Sequence, residues 1–413
     1  MVRHRMLLLV VFLSSGAAIY GIIGQVFAKT ATGVEEVRLS RTGRFWLVTF
    51  LAVLLIVGCL VGAAVMALGY RQVENLLEVI TIIRSDYLHE VSTRRLVEGA
   101  AKGIVGALGD PYSVYLEPET FKHLQEQIRG SFGGLGILVG MKDQRLTVIK
   151  PFPDTPAGRA GVKAGDVIVK IEDRQTQGLD LETAVSLMRG PVGTTVTLTL
   201  MRPGSGPLTL TLEREEITVP TVEGKLLPGG IGYLTISQFT ERTPAEVHQV
   251  LGKLRAKGMR ALILDLRDNP GGELQAAVRV ADYFVPPGPV VYVDYRNDKD
   301  EVYSASGPRL GLPLVVLVNE NSASAAEIVA AAIKETGSGK IVGTRTFGKG
   351  VVQSVYPLKN GAGLKLTTAR YLTPRKHDIN GKGVEPDVKV EQPANGEDRQ
   401  LAAAQEILRG AGR

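Results

Sequence analysis

The chain has 413 residues, of which 44% are hydrophobic and 22% charged, an ordinary composition for a folded protein of two or three globular units. Of the net charge of +6, residues 1–69 carry +4 and the rest of the chain only +2, which does not support a nucleic-acid partner. The single cysteine, Cys59, lies in an apolar run, which excludes a disulfide framework and a thiol catalyst.

Two uncharged runs near the amino terminus have the composition of membrane segments. Residues 45–69 contain no charged side chain and are numerous enough to cross a bilayer. Residues 6–27 form a weaker second run, because Ser14, Ser15 and several glycines interrupt it. We therefore expect residues 1–69 to anchor the protein in a membrane, with residues 45–69 as the strongest span.

The arginines ahead of the stronger run predict its orientation. Arg38, Arg41 and Arg44 lie just before it, and positive residues beside a span favour the cytoplasmic side. The remainder of the chain is then extracytoplasmic, which is the location we expect. If residues 6–27 also span, with the amino terminus inside, the remainder returns to the cytoplasm. A cleaved signal peptide ending near Ala28, an outside amino terminus or an over-long assigned start would avoid that outcome.

Residues 70–128 have the apolar spacing of helices, with a turn predicted at residues 109–113 (Gly-Asp-Pro-Tyr-Ser). The apolar residues that recur at helical intervals are Val73, Leu76, Leu77, Ile80, Ile83, Leu96, Ala100, Ile104 and Leu108. We expect a helical arm, whose simplest role is a packing spacer to the membrane.

From Gly130 onwards the sequence pattern changes and predicts short strands joined by glycine turns. The segment Gly134-Leu135-Gly136-Ile137 is followed by a predicted strand, whereas a dinucleotide-binding loop is followed by a helix. The segment resembles the carboxylate-binding loop of PDZ domains. The resemblance implies that these four residues offer backbone N–H groups to the terminal carboxylate of a peptide, which adds as a strand to the sheet edge.

The residues that follow extend the resemblance to a PDZ domain over residues 129–216. Residues 156–168 resemble the PDZ core segment that ends in a Gly-Asp turn, and residues 181–188 predict the helix that lines the groove. Residues 195–201 and 208–212 alternate as strands do. Arg189, just after the predicted helix, either gates the module against another site or is a solvated turn residue.

The next part of the chain alternates strands with helices. Predicted strands at residues 231–236 and 260–267 are each followed by a predicted helix, at residues 244–257 and 273–283. The second strand leads into Asp268-Asn269-Pro270-Gly271-Gly272. A strand, a glycine turn and a helix together expose backbone N–H groups above a sheet edge, where they can bind an oxyanion or a phosphate.

The apolar residues 313–319 predict a buried strand, followed by a turn and a helix that ends at Gly337. Ser324 lies at the start of this helix, where unpaired N–H groups favour a nearby oxyanion. Lys349 lies between glycines at the start of another strand, and a lysine serves as a base near neutrality only when desolvation lowers its pKa. The alternative is a capped helix and a solvated turn lysine.

Residues 319–328 together with Phe347-Gly348-Lys349-Gly350-Val351-Val352-Gln353 resemble the carboxyl-terminal processing peptidases, which are tail-specific serine proteases. The resemblance extends over roughly residues 70–391. It implies that Ser324 is the nucleophile, Lys349 the general base and Gln353 a residue that orients the lysine. It also implies that the N–H groups of Gly272 and Ala325 form an oxyanion hole.

The resemblance implies an α/β multidomain protein without a cofactor. We expect a membrane-anchoring region (1–69), a helical arm (70–128), a PDZ domain of β-rich α+β type (129–216), a crotonase/Clp-like ββα protease domain (217–391) and a C-terminal helical tail (392–413). In this family the arm forms a lid or a dimerisation element, so a homodimer is expected. The expected partners are protein or peptide substrates with apolar C-termini.

Other chemistries fit the sequence less well. A Ser-His hydrolase would need His248 or His377 near Ser324, and both are expected on the surface. We expect Asp265 and Glu327 to be structural; Glu327 falls in the first turn of the predicted helix, where a carboxylate is favourable. Neither an HExxH motif nor a Cys/His cluster occurs, so no metal is expected.

The segment Arg375–His377 departs from the glycine-containing turn usual in the family. A catalytically inactive PDZ scaffold is the alternative from another class.

Overall fold

The structure, a computed structural model, describes residues 52–54, 56–57, 73–202, 204–296, 299–393 and 396–411. The predicted membrane run at 6–27 and most of the run at 45–69 lie outside these residues. Among the helices that the structure describes, none is both long and apolar enough to cross a membrane. A boundary between two compact units falls after Leu96.

Each domain predicted from the sequence contains helical residues among those that the structure describes. Residues 73–86 are helical. The helices that follow are α1 (Thr93–Gly106), α2 (Pro118–Arg129), α3 (Pro156–Arg159), α4 (Leu181–Met188), α5 (Thr243–Ala256), α6 (Leu274–Ala281), α7 (Ala325–Glu335) and α8 (Arg399–Ala411).

A six-stranded, mostly parallel sheet forms the centre of the predicted protease part. In order across the sheet, its strands are β10 (Val222–Leu227), β11 (Ile231–Ile236), β12 (Ala261–Asp265), β15 (Leu314–Val318), β16 (Lys340–Gly343) and β19 (Val388–Lys389). Only β10 and β11 pair in antiparallel fashion. Every residue of β12 and β15 is buried, which is why both read as continuous apolar runs.

The two faces of this sheet pack against different helices. Leu262, Leu264 and Val316 belong to a core that also contains residues of α5, α6 and α7. Ile263 and Val315 point to the opposite face, where they pack with residues of α8. Because successive strand residues face opposite sides, both cores draw on the same strands. The predicted C-terminal tail thus contributes a helix that covers one side of this sheet.

A five-stranded antiparallel sheet adds Val291, Ala305 and Tyr371 to the core that contains residues of α5, α6 and α7. Its strands are β1 (Val114–Leu116), β13 (Gly288–Tyr295), β14 (Glu301–Ala305), β17 (Val351–Pro357) and β18 (Gly363–Leu372). Strand β1 pairs with β18 through Val114 and Lys365, Tyr115 and Leu364, and Leu116 and Gly363. The expectation of helices alone in residues 70–128 was therefore wrong at this strand, which forms because β18 offers it a pairing edge.

The predicted PDZ part has its own sheet and its own core. Across the sheet, the strands are β3 (Ile137–Lys142), β4 (Arg145–Pro151), β5 (Val167–Ile171), β7 (Thr195–Met201) and β8 (Pro207–Glu213), with β6 (Arg174–Gln175) paired to β5. Strands β2 (Ser131–Gly134) and β9 (Glu215–Thr218) form a separate ribbon. Strand β3 lies at the edge of this sheet, so a further strand can pair with it. Helix α4 packs beside β3.

An ion cluster joins α8 to the carboxyl end of β12. Arg267 donates hydrogen bonds to the carboxylates of Asp265 and Asp398, and the hydroxyl of Tyr233 donates to Asp265 at 2.5 Å. Partial burial acts to raise the pKa of Asp398, but its hydrogen bonds from Arg267 outweigh this and lower the pKa to about 2. As expected from sequence, Asp265 is a structural residue.

We expect Asp398→Asn to lower the free energy of unfolding at pH 7 by at most about 1 kcal/mol, because the side chain is 37% exposed and solvent screens the pair. The oxygen of asparagine still accepts the capping hydrogen bond from Leu401, but its NH₂ group replaces the oxygen that accepts from Nη2 of Arg267, so that hydrogen bond is lost together with the charge. Since the folded pKa lies below the ordinary 3.8, the stabilisation is present above about pH 4 and is lost as the pH falls towards 2. Denaturant unfolding of both proteins across this range measures it, and a difference that persists unchanged at pH 2 would contradict the assignment.

Candidate active site

Ser324 occupies a strained backbone position at the start of α7. Its φ and ψ are 53° and −114°, a combination that non-glycine residues rarely adopt. The turn that precedes it is held in place from the end of β12. The hydroxyl of Ser322 donates to the carbonyl of Leu266 at 2.7 Å, and the N–H of Ala323 donates to the carbonyl of Asn269 at 2.9 Å. These hydrogen bonds therefore stabilise a backbone conformation of Ser324 that is unfavourable on its own.

The carboxylate of Glu327, in the first turn of α7, joins Ser324 to the loop that carries Lys349. One oxygen accepts from the N–H groups of Ser324 and Lys349, both at 2.8 Å. The other accepts from the hydroxyl of Thr346 at 2.6 Å and from the N–H of Gly348 at 2.7 Å. Glu327 is fully buried, as a charge can be only when it is satisfied in this way.

Tyr371 also connects these two residues. The single proton of its hydroxyl is shared between two acceptors, the carbonyl oxygen of Ser324, at 3.2 Å, and the carbonyl oxygen of Lys349. Burial raises the pKa of Tyr371 well above its ordinary value, so the hydroxyl remains a donor. This role was not predicted, because the sequence shows Tyr371 only as an apolar position near the end of β18.

The amine of Lys349 lies in an environment that disfavours its charge. Burial lowers the pKa of Lys349, and the nearby ammonium of Lys365 lowers it further, while the carboxylate of Glu327 acts in the opposite direction. A lysine with a lowered pKa is neutral, and so able to accept a proton, at a lower pH than an exposed lysine. The direction of this shift agrees with the sequence-based expectation of a desolvated lysine.

The glycine turn after β12 approaches Ser324 closely. A Cβ added to Gly271 would lie 2.8 Å from the Cβ of Ser324 and 2.9 Å from the nitrogen of Ala325. A Cβ on Gly272, whose φ is 139°, would lie 1.9 Å from the carbonyl oxygen of Phe239. Neither Gly272 nor Ala325 has a hydrogen-bond acceptor for its N–H among the described residues. Both amides are therefore free to donate to a ligand.

The predicted catalytic residues surround one cavity of about 520 Å³. Ser324, Ala325, Gly272, Lys349 and Gln353 all line it. The amide of Gln353 donates to the carbonyl of Val351 at 3.4 Å. The apolar residues that line the rest of the cavity are Leu124, Ile128, Leu274, Ile328, Val351, Val352 and Val355.

The histidines and the PDZ loop lie elsewhere. His248 and His377, both in the described part of the chain, do not line this cavity; the ring nitrogen Nδ1 of His377 lies 2.8 Å from Glu335. Leu135 and Gly136 connect β2 to β3, and their carbonyls accept hydrogen bonds from the N–H groups of residues 157 and 152, respectively. This arrangement places the Gly134–Ile137 segment at one end of the open β3 edge.

The sequence matches three family profiles. These are described as peptidase family S41 (residues 230–390), PDZ domain (residues 133–213) and activating protease CtpB N-terminal domain (residues 63–120). The first contains Ser324, Lys349 and the glycine turn, and the second contains the β3 edge.

Proteins with similar sequences are named as carboxy-terminal processing proteases. Carboxy-terminal processing protease CtpA of Bacillus subtilis is 38% identical over 327 residues, which cover 79% of this chain and 70% of that protein. A carboxy-terminal-processing protease of Bartonella bacilliformis is 40% identical over 334 residues, covering 78% and 76%. A solved photosystem II D1 C-terminal processing protease is 33% identical, covers 76% of this chain and 86% of its own, and has a TM-score of 0.47.

The chain therefore belongs to the carboxy-terminal processing proteases of peptidase family S41. It is a serine peptidase with a PDZ domain, as the sequence motifs predicted.

We expect Glu327→Gln to lower both stability and activity. A glutamine presents one oxygen and one NH₂ group, so two of the four donors that face Glu327 lose their acceptor in a fully buried position. The free energy of unfolding should fall by about 2–4 kcal/mol. Peptidase kcat/KM should fall at least about 10-fold, because the loop of Lys349 is no longer held against Ser324.

Denaturant unfolding and peptide turnover, measured on the same preparations, test this expectation. Glu320→Gln is the matched control: Glu320 is exposed and accepts one hydrogen bond, from Thr344 at 2.9 Å. Its effect on unfolding should stay within about 0.5 kcal/mol. Equal effects of the two substitutions would contradict the role assigned to Glu327.

Proposed function

We propose that this protein is a membrane-anchored serine endopeptidase that captures substrate C-termini in its PDZ domain and cleaves peptide bonds with a Ser324–Lys349 dyad. One observation carries the proposal. Ser324 and a desolvated Lys349 line the same cavity, and their backbones are tied together by one carboxylate and one tyrosine hydroxyl.

In the first step, the neutral amine of Lys349 accepts the proton of the Ser324 hydroxyl while the serine oxygen attacks the carbonyl carbon of the substrate. The carbonyl oxygen becomes an oxyanion, and the free N–H groups of Gly272 and Ala325 donate to it. The loss of one such donor typically costs about 3–4 kcal/mol of transition-state stabilisation. Gln353 orients the lysine amine from the neighbouring strand β17.

In the second step, the ammonium of Lys349 gives its proton to the leaving amine as the C–N bond breaks, which leaves an ester between Ser324 and the new C-terminus. A water molecule then attacks this ester, with Lys349 again accepting a proton. The serine oxygen leaves and takes that proton back from the lysine, which restores both groups. The apolar lining of the cavity suits an apolar side chain beside the cleaved bond.

The PDZ domain supplies binding energy away from the cleaved bond. A substrate C-terminus adds as a strand to the open edge of β3 beside α4, and its carboxylate meets the N–H groups of residues 134–137. We propose substrates with apolar C-termini, since a PDZ groove binds alternate side chains in pockets.

We further propose the domain division 1–69, 70–128, 129–216, 217–391 and 392–413, with the catalytic part outside the cytoplasm. The uncharged run at 45–69 and the arginines before it support this anchoring and orientation. A homodimer formed through the arm is supported by exposed apolar side chains on its helical residues 73–86. These are Val73, Leu76, Leu77, Val79 and Ile82.

To test the dyad, the detergent-solubilised full chain is incubated with a protein that bears an apolar C-terminal tail, and products are followed by mass spectrometry. We expect Ser324→Ala and Lys349→Ala each to lower turnover by about 1000-fold or more, because neither residue of a dyad acts alone. Ser306→Ala and Lys359→Ala, which change exposed residues of the same types, should leave turnover unchanged.

The outcomes separate the alternatives. Undiminished turnover in Lys349→Ala would exclude the dyad, and loss of turnover in His377→Ala would favour a Ser-His hydrolase. A wild-type protein that binds the tail without cleaving it would be a binding scaffold.

A further inference from the structure

The turn at residues 109–113 of the arm reaches the amine of Lys349. The side chain of Tyr112 is half-buried, and the centroid of its ring lies 5.0 Å from the Nζ atom of Lys349. The face of an aromatic ring attracts an ammonium group at this distance, because the ring quadrupole is negative above and below its plane. Tyr112 is therefore in contact with the group proposed as the general base.

The turn is fixed by hydrogen bonds that keep Tyr112 in this place. The carboxylate of Asp110 accepts from the N–H of Tyr112 at 3.0 Å and from the hydroxyl of Ser113. The oxygen of that hydroxyl in turn accepts from the N–H of Thr367, in β18, at 3.0 Å. The next residues form β1, which pairs directly with β18. The turn that carries Tyr112 is thus attached, through Ser113 and β1, to the strand that carries Lys365 and Tyr371.

The other groups that face Lys349 have different effects on its charge. Lys365 of β18 repels an ammonium, and Glu327 of α7 attracts one. Tyr371 binds the carbonyl of Lys349 rather than its amine. Tyr112 differs from all of these because it offers a polarised surface without a formal charge, directly above the amine. It can favour the ammonium without holding it as tightly as a carboxylate would.

We propose that Tyr112 is a positioning residue for Lys349: its ring holds the amine in the cavity and stabilises the ammonium that forms as the proton of Ser324 is transferred. The proposal rests on the proposed Ser324–Lys349 function. It means that the arm supplies part of the active site, although the arm lies outside residues 230–390, which match the peptidase family.

The pH dependence of kcat/KM for the full-length protein tests this role. In Tyr112→Leu the ammonium loses its stabilisation, so the pKa of Lys349 falls and the acid limb of the profile moves to lower pH by about 0.4–1.5 units. At the same time the plateau falls by about 2- to 30-fold, because proton transfer to the lysine is less favourable. Tyr112→Phe keeps the ring face and should change neither quantity.

A second series keeps the shape of the residue. Phenylalanine with progressively more ring fluorines at position 112 weakens the attraction for a cation while filling nearly the same volume. The acid limb should therefore move stepwise to lower pH along the series. Lys365→Met serves as the reference of opposite sign, since loss of the neighbouring ammonium raises the pKa of Lys349 and moves the acid limb to higher pH.

An acid limb that stays fixed or moves to higher pH across the fluorinated series would overturn the proposal. A plateau that falls equally at every pH in Tyr112→Leu, with no movement of the limb, would show a purely structural role and would overturn it too. These results differ from failure of the dyad itself, which would appear as full activity of Lys349→Ala in the same assay.

Discussion

The site depends on one buried carboxylate. Glu327 accepts four hydrogen bonds, two from N–H groups of the residues proposed as nucleophile and base, and it does so without any exposure to solvent. A carboxylate buried without hydrogen-bond partners would lower the stability of the folded protein by several kcal/mol. The loop of Lys349 supplies these partners, so its position against Glu327 is strongly favoured. The same group thus gives the first turn of α7 a favourable negative charge and fixes the separation of two segments that are distant in sequence.

The rest of the molecule brings further segments to this point. The end of β12 supplies the glycine turn, which only residues without a side chain can form so close to Ser324. Strand β18 supplies Tyr371, and the arm contributes a turn and the short strand β1. The described residues of the PDZ domain do not line the cavity, but Arg189 of this domain lies 3.8 Å from Glu126 of α2, the helix that contributes Leu124 and Ile128 to the lining. The open strand edge of the domain allows a substrate to be held by its end while a bond elsewhere is cut, as the proposed function requires.

Much of this arrangement could be predicted from the sequence, and the exceptions have physical reasons. The buried strand before Ser324, the PDZ helix at residues 181–188 and the residues around the cavity follow from apolar periodicity, glycine placement and family motifs. Strand β1 could not be predicted, because a three-residue strand forms only when a distant edge receives it. The contacts of Tyr371 and Tyr112 were missed for a similar reason. Each is a single side chain whose partner lies far away in sequence, and no local pattern encodes such a contact.

The most direct test of the account is the titration of the Lys349 amine itself. Carbon-13 labelling of lysine, with the Lys349 signal assigned by its absence in Lys349→Arg, allows the amine to be followed by NMR in the inactive Ser324→Ala protein. The amine of Lys349 should titrate with a pKa below the ordinary 10.5, because burial and Lys365 together disfavour the ammonium. An amine that titrates at or above that value would be charged under working conditions and unable to accept the serine proton, which would contradict the account.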